Sequence, residues 1–191
     1  LILLPSQKTS AELDREIEDI IRSKGAEPAF KGYKGFPATI CASVNEVVVH
    51  GIPSEDTVLE EGDIAGIDVG VKKNGYYSDA ARTFTVGKIS EEAKRLVGVT
   101  RESLDEGIKQ AVAGARVSDI SNAIQSVARD AGYEEVRAFV GHGVGKNLHE
   151  SPEVPNWGEK GRGPELKEGL ILAIEPMINE GTREVKVKSA G

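Results

Sequence analysis

Cysteine, methionine and tryptophan each occur once in these 191 residues, histidine occurs three times, and aromatic residues make up only 5%. A single cysteine, Cys41, excludes an intrachain disulfide framework and fits a reducing compartment. No apolar run approaches the ~18–20 residues that cross a bilayer, so no membrane-spanning role is expected. The opening LILLP is too short for a signal-peptide core and has no basic flank. There is no dense Lys/Arg tract, and 24 basic against 31 acidic residues leave a net charge of −7. That balance argues against a nucleic-acid surface. With 39% apolar and 29% charged residues, the composition is that of an ordinary globular protein, long enough for one sizeable domain. The chain opens without methionine and closes on VKVKSAG, which reads as the middle of a strand, so both ends are expected to be truncated.

Local signals give a mixed α+β (α/β) class. Thr9 and Glu12 are spaced as a capping box, followed by Leu13, Ile17, Ile20 and Ile21 at helical intervals up to Gly25. PAFKGYKGFPAT reads as a loop, and residues 39–49, rich in Val and Ile, as a strand. Strands over 63–71 and 76–86 flank Asn74-Gly75, a two-residue hairpin signal. Helices are expected from Ser90, with a bend near Gly98, and from about Ser118 to Gly132. Short strands are expected at 136–140 and 170–175, with a glycine loop between them. EEGDIAGIDV (60–69) and KEGLILAIEP (167–176) echo one another, each ending an apolar run on an acid, Asp68 or Glu175.

An acid after a buried apolar run needs a partner or a metal, because an unpaired buried carboxylate costs several kcal/mol. The plain alternative is a strand-end acid facing water. The hairpin weighs against it. If Asn74-Gly75 is a two-residue turn, Lys73 faces Tyr76 and Asp79 falls opposite Gly70. Asp68 then shares the face of Asp79 on a diagonal of roughly 5.5–8 Å, within reach of one metal centre. A three-residue turn would break that register. Two acids, Glu175 and a histidine form an O/N donor set suited to Mn, Fe, Co or Zn.

FVGHGVGKNLHESPEVPN (139–156) holds His142 and His149, seven residues apart among glycines. Glycine permits close backbone approach and positive φ, so the segment reads as a loop with His142 as a ligand and His149 as a group facing substrate. Solvent histidines on a structural glycine loop are the alternative. GVGK is not a phosphate loop, because Asn147 follows Lys146 where that motif needs Ser or Thr.

Four motifs, SVNEVVVHGIP (43–53), IDVG with GYYSDAART (67–83), GHGVGKNLHESPEVPN (141–156) and AIEPM (173–177), together resemble the bacterial type I methionine aminopeptidases. The resemblance implies a single pita-bread peptidase domain over 1–191, with two pseudo-symmetric halves around a central sheet and two divalent metal ions (Co, Mn, Fe or Zn). It implies Asp68 as a terminal bidentate ligand and Asp79 as a bridging one. It implies His142 as the imidazole ligand of the other ion, and Glu175 as ligand and proton shuttle. His50 and His149 match two unligated histidines that contact substrate and stabilise the tetrahedral intermediate, and Tyr33, Phe36, Cys41 and Leu148 match the methionine pocket. The family's fifth ligand, a second bridging glutamate, an aromatic segment near the pocket and an N-terminal helix have no counterpart within the 191 residues.

The activity so implied is metal-dependent removal of the N-terminal methionine from newly made polypeptides with a small second residue. It implies a cytoplasmic monomer working on nascent chains at the ribosome. Two other readings stand beside it: an Xaa-Pro-specific pita-bread peptidase, and a non-catalytic binding module of the same fold.

Overall fold

The computed structural model describes residues 3–187, which form two compact units. One comprises the chain up to Lys94 together with Val144–His149; the other comprises Arg95–Gly143 and the residues from Glu150 onward.

In the first unit, β1 (Leu3–Leu4) is followed by helix α1 (Ser10–Ser23). Thr9 caps the helix as expected: its hydroxyl accepts from the Glu12 N–H, and Glu12 accepts from the Thr9 N–H at 2.7 Å. β2 (Glu27–Pro28), β3 (Ile40–Val44), β4 (Ile64–Lys73) and β5 (Tyr76–Val86) complete one sheet with β1. β2, β3 and β5 all pair antiparallel with β4, and β1 pairs parallel with β5.

Asn74 (φ 53°) and Gly75 (φ 80°) both take the left-handed conformation that a two-residue hairpin turn demands. The register is the expected one, with Lys73 opposite Tyr76 and Gly70 opposite Asp79. Alternation then sorts the side chains of β4. Ala65, Ile67 and Val69 join Leu13, Ile17, Ile40 and Ala42 in the core beneath α1. Asp68 and Gly70 point to the other face.

The expected strand over 39–49 stops at Val44. Asn45 turns the chain at φ 52°, its N–H donating to the Ile64 carbonyl and its side chain bonding Asp63 and the Ile64 N–H. Extended pairing cannot continue through that turn.

Helix α2 (Glu91–Gln110) begins after Ser90, whose hydroxyl accepts from the Ala93 N–H, and runs unbroken through Gly98. Helix α3 (Val117–Asp130) follows in the second unit. Five short strands come next: β6 (Glu134–Glu135), β7 (Gly141–Gly143), β8 (Glu150–Val154), β9 (Leu172–Ala173) and β10 (Ile178–Asn179). β7 lies between β8 and β9, and β6 pairs with β10. Ile120, Ile124 and Ala128 of α3 pack with Val154, Leu166 and Ile178, and Leu172 and Ile174 join them.

Glu135 is fully buried beside α3. Burial alone would raise its pKa, but its own backbone N–H and the Arg129, Gln125 and Arg137 side chains hold it below the ordinary value.

Sequence expectations in this unit need correction. Strand pairing occurs at 134–135 rather than 136–140, because β10 offers partners to Glu134 and Glu135 and only one further bond, from the Val136 N–H to the Met177 carbonyl. The strand expected over 170–175 is paired only at Leu172–Ala173, limited by the three residues of β7. Residues 185–187 of the terminal VKVKSAG are not strand, and the rest of that stretch lies outside the described residues.

Gly75→Ala places a Cβ on a left-handed residue and should destabilise the hairpin by roughly 1–2 kcal/mol. A lower urea midpoint with an unchanged circular dichroism spectrum is the expected result.

Candidate metal ligands and substrate pocket

Asp68 and Asp79 sit on one face of the hairpin. Cys41 of β3 lies directly opposite Asp68, and Gly70 lies between Asp68 along the strand and Asp79 across it. The Phe30 ring covers Gly70 so closely that a Cβ there would overlap it. Glycine inside a strand often marks such a close approach. Phe30, Cys41, Leu148 and Ala29 form one buried apolar cluster, with Tyr33, Phe36 and Tyr77 packed against it. All four residues that the resemblance assigns to a pocket therefore meet in one cluster, on the sheet face that carries the two acids. Phe30 and Tyr77 were not among them. Gly70 was the signal for the first, and the alternation that pairs residue 77 with Asp79 was the signal for the second.

Tyr33 and Phe36 are presented by a tight turn. Gly32, Lys34 and Gly35 all have positive φ, and the Tyr33 N–H donates to the Phe30 carbonyl while the Phe36 N–H donates to that of Tyr33. Leu148 and His149 come from the segment between β7 and β8, fastened by the Tyr77 N–H donating to the Gly145 carbonyl at 2.7 Å. His149 is exposed, with Nδ1 at 3.0 Å from the Tyr33 hydroxyl and its ring stacked on that of Tyr33 at 5.3 Å. His50, also exposed, stands at φ 57° where the 45–51 loop returns to β3. There the Ala42 N–H donates to the Gly51 carbonyl, and the Gly51 N–H to the buried Ser43 hydroxyl.

In the second unit His142 lies on β7, opposite Ala173 of β9, so the GHG stretch is strand rather than loop. The glycines answer crowding: a Cβ at Gly141 would overlap the Ala173 carbonyl, and one at Gly143 the Ser151 carbonyl. Neither glycine has positive φ, so only the close-approach half of the expectation holds. Glu175 follows Ala173 by two residues, and its Oε1 is 3.2 Å from His142 Nε2. His142 Nδ1 lies 2.8 Å from the Gly143 carbonyl, an acceptor that fixes the proton on Nδ1. Nε2 of the neutral ring then presents a lone pair beside a carboxylate oxygen. Two acceptors at that separation call for positive charge, as a ring proton or a bound cation. A backbone carbonyl on the other nitrogen is the usual support of a metal-binding histidine.

The donors thus come as two pairs, each built inside one unit. Among the described residues no cluster of three or more His, Cys, Asp and Glu side chains forms. The oxygen and imidazole chemistry of the pairs nevertheless fits divalent Mn, Fe, Co or Zn.

Residues 3–189 match Metallopeptidase family M24. A methionine aminopeptidase of Clostridium acetobutylicum is 56% identical over 95% of this chain and 72% of its own length. The chain belongs to family M24 and, within it, to the methionine aminopeptidases. A methionine aminopeptidase from Thermotoga maritima has a matching crystal structure, with a TM-score of 0.95 at 44% identity over 98% of this chain and 75% of that one. A prolidase from Pyrococcus furiosus is more distant, at 0.77 and 28% over 91% of this chain and 49% of that one. The pita-bread fold read from the motifs is the fold of this M24 peptidase, and the methionine enzymes are nearer to it than the Xaa-Pro enzymes. Members of this metallopeptidase family depend on divalent metal.

Two acids of α1 brace the segment that carries Tyr33 and Phe36 in this family member. Asp14 accepts from the Thr39 and Ile40 N–H groups, and Glu18 accepts from Lys31, Arg22 and the Thr39 hydroxyl. Hydrogen bonds from Lys31 and then Arg22 lower the Glu18 pKa from 4.5 to about 2. A depressed carboxylate contributes stability that is complete above its unfolded value and fades as pH falls toward the folded one. Glu18→Gln should therefore lower the thermal midpoint at pH 7, with the gap to wild type closing between pH 4.5 and about 2.

Proposed function

We propose that the chain removes the N-terminal methionine from polypeptides whose second residue is small, both units serving one peptidase domain. The observation that carries this reading is the apolar cluster of Tyr33, Phe36, Cys41 and Leu148 on the sheet face that bears Asp68 and Asp79. Its apolar and aromatic side chains are of the kind that contact a thioether chain favourably, beside carboxylates able to hold a metal.

Asp68 and Asp79 are assigned as carboxylate ligands, and His142 with Glu175 as imidazole and carboxylate ligands, for two divalent ions of the Mn, Fe, Co and Zn group. Bound there, the metal supplies Lewis-acid activation of water and of the scissile carbonyl. The pocket residues hold the methionine side chain and exclude water from it. Glu175 takes a proton from the attacking water as the new C–O bond forms, then delivers it to the leaving amine as the C–N bond breaks. His149 donates a hydrogen bond to the carbonyl oxygen as negative charge develops, and His50 steadies the scissile amide. Its positive φ is a strained conformation of the kind concentrated at working sites.

Substrates that still carry an initiator methionine exist where polypeptides are made. On that ground the protein is assigned to the cytoplasm, acting on nascent chains at the ribosome.

The deciding assay compares Met-Ala-Ser with an Ala-Pro peptide, using the metal-loaded protein before and after chelation. Chelator-sensitive methionine release is expected, with no cleavage of Ala-Pro. Asp79→Asn should abolish that release and reduce bound metal measured by elemental analysis. A fully active variant, or preference for the proline peptide, would sink the reading.

A further inference from the structure

Tyr33 and His149 are 116 residues apart in sequence and meet through two contacts at once. Their rings stack at 5.3 Å with 24° between planes, and the Tyr33 hydroxyl lies 3.0 Å from His149 Nδ1. A merely apolar pocket wall has no need of the second contact. Phe36, three residues on, packs against the same cluster without a hydroxyl.

The backbone on either side of this pair is already held. Leu148 is buried to 2% exposure, and the Gly145 N–H donates to the Asn147 carbonyl as its own carbonyl accepts from Tyr77. The Tyr33 turn is held by its own hydrogen bonds, at the cost of a left-handed Lys34. Two fixed backbones therefore bring an exposed imidazole to a hydroxyl. A phenol hydroxyl both donates and accepts, whereas neutral imidazole has one donor and one acceptor nitrogen. The partner of Nδ1 thus decides where the single ring proton sits.

We propose that Tyr33 is a positioning residue for His149: its hydroxyl donates to Nδ1 and so keeps the ring proton on Nε2, the nitrogen that meets the substrate carbonyl. The proposal rests on the reading of His149 as a carbonyl donor. That role requires an N–H, and the opposite tautomer would present a lone pair to a developing oxyanion. Stacking on the Tyr33 ring sets the plane of the imidazole, and the hydroxyl sets its tautomer. Tyr33 thereby joins two tasks that sequence spacing does not connect, lining the methionine pocket and orienting a group at the scissile bond.

Tyr33→Phe is the direct test, since it keeps the ring, the stack and the apolar wall and removes only the hydroxyl. With histidine labelled with nitrogen-15, two-bond proton–nitrogen correlations report which ring nitrogen carries the proton, and His149→Ala assigns the signal among three histidines. In the wild type the His149 proton is expected on Nε2 with Nδ1 as acceptor, and in Tyr33→Phe the Nδ1 signal should move as the tautomers mix. For Met-Ala-Ser, kcat should fall about threefold to tenfold, the loss of one hydrogen bond, with KM unchanged. A proton on Nδ1 in the wild type, or a spectrum and kcat that ignore the loss of the hydroxyl, would overturn the proposal. A change in KM alone would also overturn it and leave Tyr33 as a pocket wall. His149→Ala separates the two levels. Full activity in that variant removes the carbonyl-donor role beneath the proposal, whereas a large loss there beside an unaffected Tyr33→Phe removes the positioning role only.

Discussion

The register of one hairpin governs the first unit. Asn74 and Gly75 close β4 onto β5 with Gly70 opposite Asp79, and a sheet has a side-chain period of two. A slip of one residue would turn Asp68 toward α1 and bring Ile67 and Val69 to the face that carries Cys41. A charge would then be buried among Leu13, Ile40 and Leu59, and two large apolar side chains would be lost from that core. Both errors are costly, so the apolar core and the pair of acids enforce the same register from opposite faces. The turn chemistry agrees with them. That agreement places the two carboxylates on one face of the hairpin.

The second unit solves the same problem with much shorter strands. Ile174 turns to the core of α3, and Glu175, next in sequence, turns to the side of His142, as Ile67 and Asp68 divide between the faces of β4. The echo between 60–69 and 167–176 is thus an echo of sidedness. β7 has only three residues, and two are glycines pressed against carbonyls of the neighbouring strands. Removing Cβ on both sides of His142 lets the three strands close up around it. Its imidazole is buried with Nδ1 on a backbone carbonyl and Nε2 beside Glu175.

Charged groups away from these acids serve as fasteners. Asp14 and Glu18, one helical turn apart on α1, take hold of the far end of the segment that carries Tyr33 and Phe36 and, through Lys31, of its start. Glu135 does comparable work in the second unit, where two arginines and Gln125 surround a carboxylate with no exposure to water. A buried charge is tolerated only when its oxygens are filled with donors. Each such site fixes several backbone segments at once, which is how loops without regular structure come to hold Tyr33 and Phe36 in place.

What the sequence by itself determined was local or periodic. The Thr9–Glu12 box, the Asn74-Gly75 turn and the apolar repeats of α1 and α3 act within a few residues, so they set the helix starts, the hairpin and the diagonal of Asp68 and Asp79. The family was legible because its motifs are long and ordered, and the candidate pocket residues were named from that resemblance. Tertiary structure alone decided the features whose partners lie far along the chain. β6 is a strand only where β10 meets it, β9 only as far as β7 reaches, and GHG is extended because strands flank it on both sides. Phe30 closes over Gly70 across 40 residues, and Tyr33 finds His149 across 116. Backbone hydrogen bonds to a distant strand and side-chain contacts between loops leave no periodic trace in sequence, because neither partner constrains the residues beside the other.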